Sequence, residues 1–99
     1  MSEHQIDAVV EDVRTRLGAL ELTLRGLGAV QSSAQSPDGA VVAWVDGNGA
    51  LARLQLAESV SRRDAADLAA TILATTHEAA RRAAGERARL LEELRGALR

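Results

Sequence analysis

Ser36-Pro37-Asp38-Gly39-Ala40-Val41-Val42-Ala43-Trp44-Val45-Asp46-Gly47-Asn48-Gly49-Ala50-Leu51 is the segment from which the fold can be worked out. Its first four residues have the chemistry of a tight turn. Pro presets φ, Ser and Asp carry oxygens that bond nearby backbone, and Gly accepts positive φ. Ala40 to Val45 is rich in β-branched residues and reads as a strand. Asp46-Gly47 and Asn48-Gly49 are two turn dipeptides in succession, so the chain reverses and Ala50 to Ala57 reads as the returning strand. Alternation puts Ala52, Leu54 and Leu56 on one face of that strand and Arg53 and Gln55 on the other. Upstream, Ala29 to Ser36 alternates weakly and supplies a first strand, although Gln31, Ser32, Ser33 and Gln35 have little β propensity. The result is a three-stranded antiparallel meander with strands at about 29–36, 40–46 and 50–57. On its middle strand Val42 and Trp44 oppose Val41, Ala43 and Val45, so both faces are apolar. An antiparallel sheet commonly leaves one face wet, which points to a partner chain over the second.

Helices flank this sheet. From about residue 5 to 27, Ile6, Val10, Val13, Leu17, Leu20, Leu24 and Leu27 recur in steps of four and three, a heptad seam with Asp7, Glu11, Arg14, Glu21 and Arg25 off it. Ser2 with Gln5 three residues on forms a capping box, and Gly26 and Gly28 are expected to stop the helix. A second helix is expected over about 62–98, with Ser61 as its cap and Asp64 at the third helical position. At about 1.5 Å per residue it spans roughly 50 Å, more than a three-stranded sheet can cover. Ala79, Ala80, Ala83 and Ala84 suit close approach of another helix, and Leu90, Leu91, Leu94 and Leu98 resume a bulky stripe. Gly85 marks either a bend or a close contact. The fold class is therefore α+β in a single domain over residues 1–99: long helix, three-stranded antiparallel sheet, long helix.

Composition narrows the function. The 99 residues hold one aromatic, Trp44, and no Cys, so the core is Val, Leu, Ile and Ala, with no disulfide framework and no thiolate for catalysis. The first dozen residues lack a basic leader and an apolar run, and no stretch suggests a membrane span, so a cytoplasmic location is expected. His4 and His77 sit on different elements with no second ligand at metal spacing. Ser32, Ser33, Ser36, Ser59 and Ser61 fall in turns or caps without a base beside them. Gly47 and Gly49 do not precede a helix as a phosphate loop would. No enzyme, metal site or cofactor is expected.

The net charge is −2 and all twelve basic residues are Arg. A mildly acidic chain binds nucleic acid only through a local patch, because affinity for phosphate comes from basic charge that displaces counterions. The last helix offers one: Arg81, Arg82, Arg87, Arg89, Arg95 and Arg99 face Glu86, Glu92 and Glu93. They read either as phosphate contacts or as solvated positions in helix ion pairs such as Glu78 with Arg82. Trp44 reads as a core anchor ahead of a base-stacking platform.

The stretch from Ser36 to Ala84 resembles the YbaB/EbfC family of nucleoid-associated DNA-binding proteins. The resemblance is carried by Ser36-Pro37-Asp38-Gly39 before the Val-rich strand, Val45-Asp46-Gly47-Asn48-Gly49 leading into Leu51, Leu54 and Leu56, and the basic link Ser61-Arg62-Arg63-Asp64. Leu68-Ala69-Ala70-Thr71-Ile72 and Ala79-Ala80-Arg81-Arg82-Ala83 complete it. The Arg-only, Ala-rich composition fits a GC-rich, actinobacterial type of member. The resemblance implies a homodimer whose sheets pair across the interface, a nucleoid location, and double-stranded DNA as partner. Arg81, Arg82, Arg87 and Arg89, with Arg62 and Arg63 of the basic link, are the expected DNA contacts. Leu17, Leu20, Leu24, Val42 and Trp44 are the expected dimer interface. Some relatives look more like accessory proteins of specialised secretion systems, so the alternative is an adaptor with a protein partner and no DNA.

Overall fold

Helix α1 (Glu3–Ala29) begins where the two halves of the expected capping box close. The Gln5 amide donates to the Ser2 hydroxyl at 3.3 Å and the Ser2 amide to the Gln5 side chain at 2.9 Å. The computed structural model describes residues 2–99. α1 overruns the expected stop at Gly26 and Gly28 and ends only where Val30 turns to extended backbone. A glycine inside a helix costs about 1 kcal/mol, too little to end a helix held by packing. Gly26 has a different use: a Cβ there would lie 3.3 Å from the Leu90 methyls.

Three strands follow, β1 (Gln31–Gln35), β2 (Val41–Asp46) and β3 (Leu51–Leu56), antiparallel in the order β1-β2-β3. The turn before β2 is tied by its own side chains. The Ser36 hydroxyl donates to Asp38 at 2.7 Å and accepts from the Val41 amide at 3.1 Å, while Asp38 accepts from the Ala40 amide at 3.1 Å. Gly39 supplies the left-handed φ of 73°. In the second turn the Asp46 carboxylate takes the amides of Asn48 and Ala50, and Gly49 sits at φ 81°.

One register differs from simple alternation. Trp44 pairs with Arg53, but Val45 pairs with Leu51, so Ala52 is the extra residue of a bulge. Leu51, not Ala52, therefore shares the face of Leu54 and Leu56. β1 forms in spite of its composition because tertiary contacts hold it: Ala34 is buried opposite Ala43, and the Arg82 guanidinium donates to the Ser33 carbonyl at 2.9 Å.

A 3-10 turn (Glu58–Arg62) precedes helix α2 (Ala65–Ala97). α2 starts later than expected. Ser61 donates to the Glu58 carbonyl at 2.9 Å within the 3-10 turn, and Asp64 is the cap that accepts from the Asp67 amide. Ala79 and Ala83 are fully buried, but what approaches them closely is the sheet, not another helix: their methyls meet Val45, Ala34 and Val30. The helix is continuous through Gly85, where a Cβ would meet nothing within 4 Å, so this glycine marks no close contact. Val41, Ala43 and Val45 are fully buried under α2. Trp44 lies half-buried on the opposite face beside Val42, with the Arg53 guanidinium 4.7 Å from its ring centre. The sole aromatic thus anchors nothing in this chain's core.

The molecule is 76 Å long and 17 Å in each other direction, with a radius of gyration of 20.9 Å. A closed globule of this length would have about 13 Å. The excess comes from α1, since it has a neighbour only from Ala19 onward. Ala19, Leu22 and Thr23 lie beside Glu93, Leu94 and Ala97, and Gly26 lies beside Leu90, so the two helices run antiparallel and α2 ends opposite Ala19. The preceding turns of α1, about 24 Å of helix, stand alone with every residue from Glu3 to Leu17 exposed.

Candidate nucleic-acid interface

α2 carries the arginines, and helical geometry sorts them. At about 100° per residue, Arg81, Arg82 and Arg89 fall within one third of the circumference; Arg81 points away from the buried Ala79 and Ala83, while Arg82 and Arg89 flank the sheet-facing side. Arg87 is turned more than about 100° from them, and its guanidinium donates to the Gly47 carbonyl at 3.0 Å, fastening α2 to the second turn. Arg62 and Arg63 lie at the other end of α2, about 25 Å from Arg81 along its axis. Arg63 pairs with Asp38 and so braces the first turn, while Arg62 is exposed. The structure therefore groups three of the six expected DNA contacts and disperses the others.

The grouped arginines are interleaved with carboxylates of their own helix. Glu78 pairs with Arg81 and lies 3.4 Å from the Arg82 Nε. Arg89 is held between Glu86 and Glu93. Further on, Arg95 and Arg99 both meet Glu92, at 3.0 and 3.5 Å. Hydrogen bonding from Arg81 holds the Glu78 carboxyl below its ordinary pKa, and hydrogen bonding from Arg89 does the same to Glu86. The Arg89 proton is held more tightly in return, chiefly by its hydrogen bond to Glu86. All these pairs are open to water, where an ion pair contributes little and a phosphate oxygen replaces a carboxylate oxygen at small cost. Glu78 stands three and four residues ahead of Arg81 and Arg82, the spacing that lets one carboxylate on a helix reach both.

Beside this face an open cleft of about 600 Å³ runs between the end of α1, β1 and α2, lined by Val30, Arg82, Glu86, Arg89 and Leu90 among others. Among the described residues no three His, Asp or Glu side chains gather to hold a metal, and no helix is long and apolar enough to cross a membrane.

A three-stranded antiparallel meander between two helices, with its basic residues set along an overlong second helix, defines a class of small two-helix α+β proteins. The family model for the YbaB/EbfC DNA-binding family matches residues 4–98, and the chain belongs to that family. The fold is similar to the crystal structure of uncharacterized protein HP0035 from Helicobacter pylori. That likeness has a TM-score of 0.61 at 17% identity and covers 95% of this chain and 97% of that one. No curated protein matches the chain. The family is one of DNA-binding proteins, not of enzymes.

Proposed function

We propose that this chain is a nucleoid-associated protein that works as a homodimer and binds duplex DNA through its phosphates, with little preference for sequence. The observation that carries the reading is the exposed cluster of Arg81, Arg82 and Arg89 on one face of α2, in a chain of a DNA-binding family. α2 has no Asn or Gln to read adenine and no aromatic to stack on a base, so contacts from it go to the backbone and position without specifying. Two copies present the arginine cluster twice. The dimer itself is supported by apolar surface that one chain leaves bare: Leu17, Leu20 and Leu24 on α1, Leu51, Leu54 and Leu56 on β3, and the half-buried Val42 and Trp44 on the outer sheet face.

The test is a gel-shift titration at low salt with several unrelated duplexes, repeated at rising salt. Comparable affinity for all of them and a steep loss with salt are expected. The carboxylates that pair each clustered arginine favour a second reading, an adaptor that meets a protein partner and no DNA. Absence of any shift at low salt places that reading first.

A further inference from the structure

One stripe of α2 carries charges of alternating sign. Glu78, Arg82, Glu86, Arg89 and Glu93 follow one another in steps of four, four, three and four, which sets them within about 80° of the helix circumference over roughly 22 Å. Arg81 joins the stripe through Glu78, with which it pairs. The arginine cluster Arg81, Arg82 and Arg89 is therefore matched by an equal number of carboxylates, Glu78, Glu86 and Glu93, and the face carries no net charge. A face that meets a polyanion is ordinarily positive.

The pairing leaves no arginine of the cluster free. The Glu78 carboxylate serves two of them, Arg81 and, at 3.4 Å, the Nε of Arg82. Arg89 is held from both sides. Its Nε donates to Glu86 at 3.1 Å, and Glu93 meets the same guanidinium one turn further on. Phosphate that reaches these guanidiniums has to displace a carboxylate. A mobile counterion displaced on binding diffuses away, and that release drives association. A carboxylate fixed to the same helix cannot leave; it stays at high effective concentration beside the phosphate and repels it.

We propose that Glu78, Glu86 and Glu93 are built-in competitors of duplex phosphate, which hold the affinity of the arginine face for DNA about tenfold below what its arginines alone would give. The proposal rests on the DNA reading above and names what sets the strength of that site. Three exposed pairs of ordinary weak strength add up to a factor of about that size. Glu78 has the largest share, because it alone blocks two arginines, whereas Arg89 keeps one carboxylate when the other is removed.

The test combines Glu78→Gln, Glu86→Gln and Glu93→Gln, changes that keep side-chain size and helix propensity. A comparison variant, Glu3→Gln with Asp7→Asn and Glu11→Gln, changes the net charge equally at the exposed start of α1, where these residues form no ion pair among the described residues. Fluorescence anisotropy with a labelled duplex is read at about 100 mM salt, where exposed charges more than about 10 Å away are largely screened. The α2 variant is expected to bind about tenfold more tightly than the parent and the α1 variant at most about twofold. Glu78→Gln alone should tighten binding more than Glu86→Gln or Glu93→Gln alone. Circular dichroism checks that each variant is folded. Equal tightening by both triple variants would reduce the effect to overall charge and end the proposal. An α2 variant that binds more weakly than the parent would also end it, because the carboxylates would then be supports that orient the arginines. Both of those results leave the DNA reading standing, since the parent binds in each. If neither the parent nor the variants bind, the DNA reading and the proposal fall together.

Discussion

Replacing Arg81 and Arg89 together with Ala separates electrostatics from folding better than any other pair on α2. Both side chains meet only carboxylates of their own helix, whereas Arg82 also donates to the Ser33 carbonyl and Arg87 to the Gly47 carbonyl. Loss of the Arg82 tether would cost about 1 kcal/mol and confuse the result. The Arg81 and Arg89 pairs are open to water and contribute little, and Ala is a good helix former, so the melting curve should be nearly unchanged. Each phosphate contact contributes about 0.9 to the slope of log affinity against log salt. Three arginines on one engaged face give the parent a slope of about −2.7, and the variant retains about −0.9. Between about 50 and 200 mM salt the parent should therefore lose roughly tenfold more affinity than the variant, and twice that on a logarithmic scale if both faces of a dimer engage. Fluorescence anisotropy with a labelled duplex at four or five salt concentrations measures both slopes. A variant slope equal to the parent's would refute the assignment of these arginines.

Leu20→Asp should dissociate the dimer without unfolding the chain, because Leu20 is exposed in the single chain but a charge in the paired seam would lack a partner; sedimentation with circular dichroism checks both halves. Gly85→Ala should raise stability by about 1 kcal/mol, since the added methyl meets nothing within 4 Å and the helix gains a better former; a denaturant titration reads it. Asp38 has its pKa lowered from 3.8 to about 2, first by the Ser36 hydroxyl, then by the Ala40 amide and Arg63. A depressed carboxylate stabilises the fold above its unfolded pKa and loses that contribution as pH falls through the folded one. Melting temperature should thus hold from neutrality to about pH 4 and fall between about pH 4 and 2. Asp38→Asn should make that fall shallower, leaving the part that the paired Glu78 and Glu86 contribute.

The elements most legible in the sequence are those set by neighbours in the chain. Ser2 with Gln5, the Ser36–Gly39 turn and the Asp46–Gly49 turn each close through bonds spanning five residues or fewer, so composition alone identifies them. What stayed hidden depends on distant partners. The seam leucines of α1 are conspicuous, yet α2 packs on the quieter row of Ala19, Thr23 and Gly26 beside them. Small residues there let the helices approach, and nothing local marks them. The bulge at Ala52 is equally silent, because Leu51 and Ala52 both fit a strand and only the pairing with Val45 decides between them. At the candidate site the identity of the arginines was legible. The dispersal of Arg63 and Arg87 was not, since each turns to a partner many residues away.

That bulge also bears on solubility. β3 is an open sheet edge with all six residues exposed, three of them Leu, and such an edge invites further strands to add. The extra residue interrupts the even spacing of backbone donors and acceptors that an incoming strand would need, and it strengthens the local twist. Arg53, set next to it, brings a charge to the same edge. The irregularity at Ala52 thereby guards the edge against open-ended addition of strands.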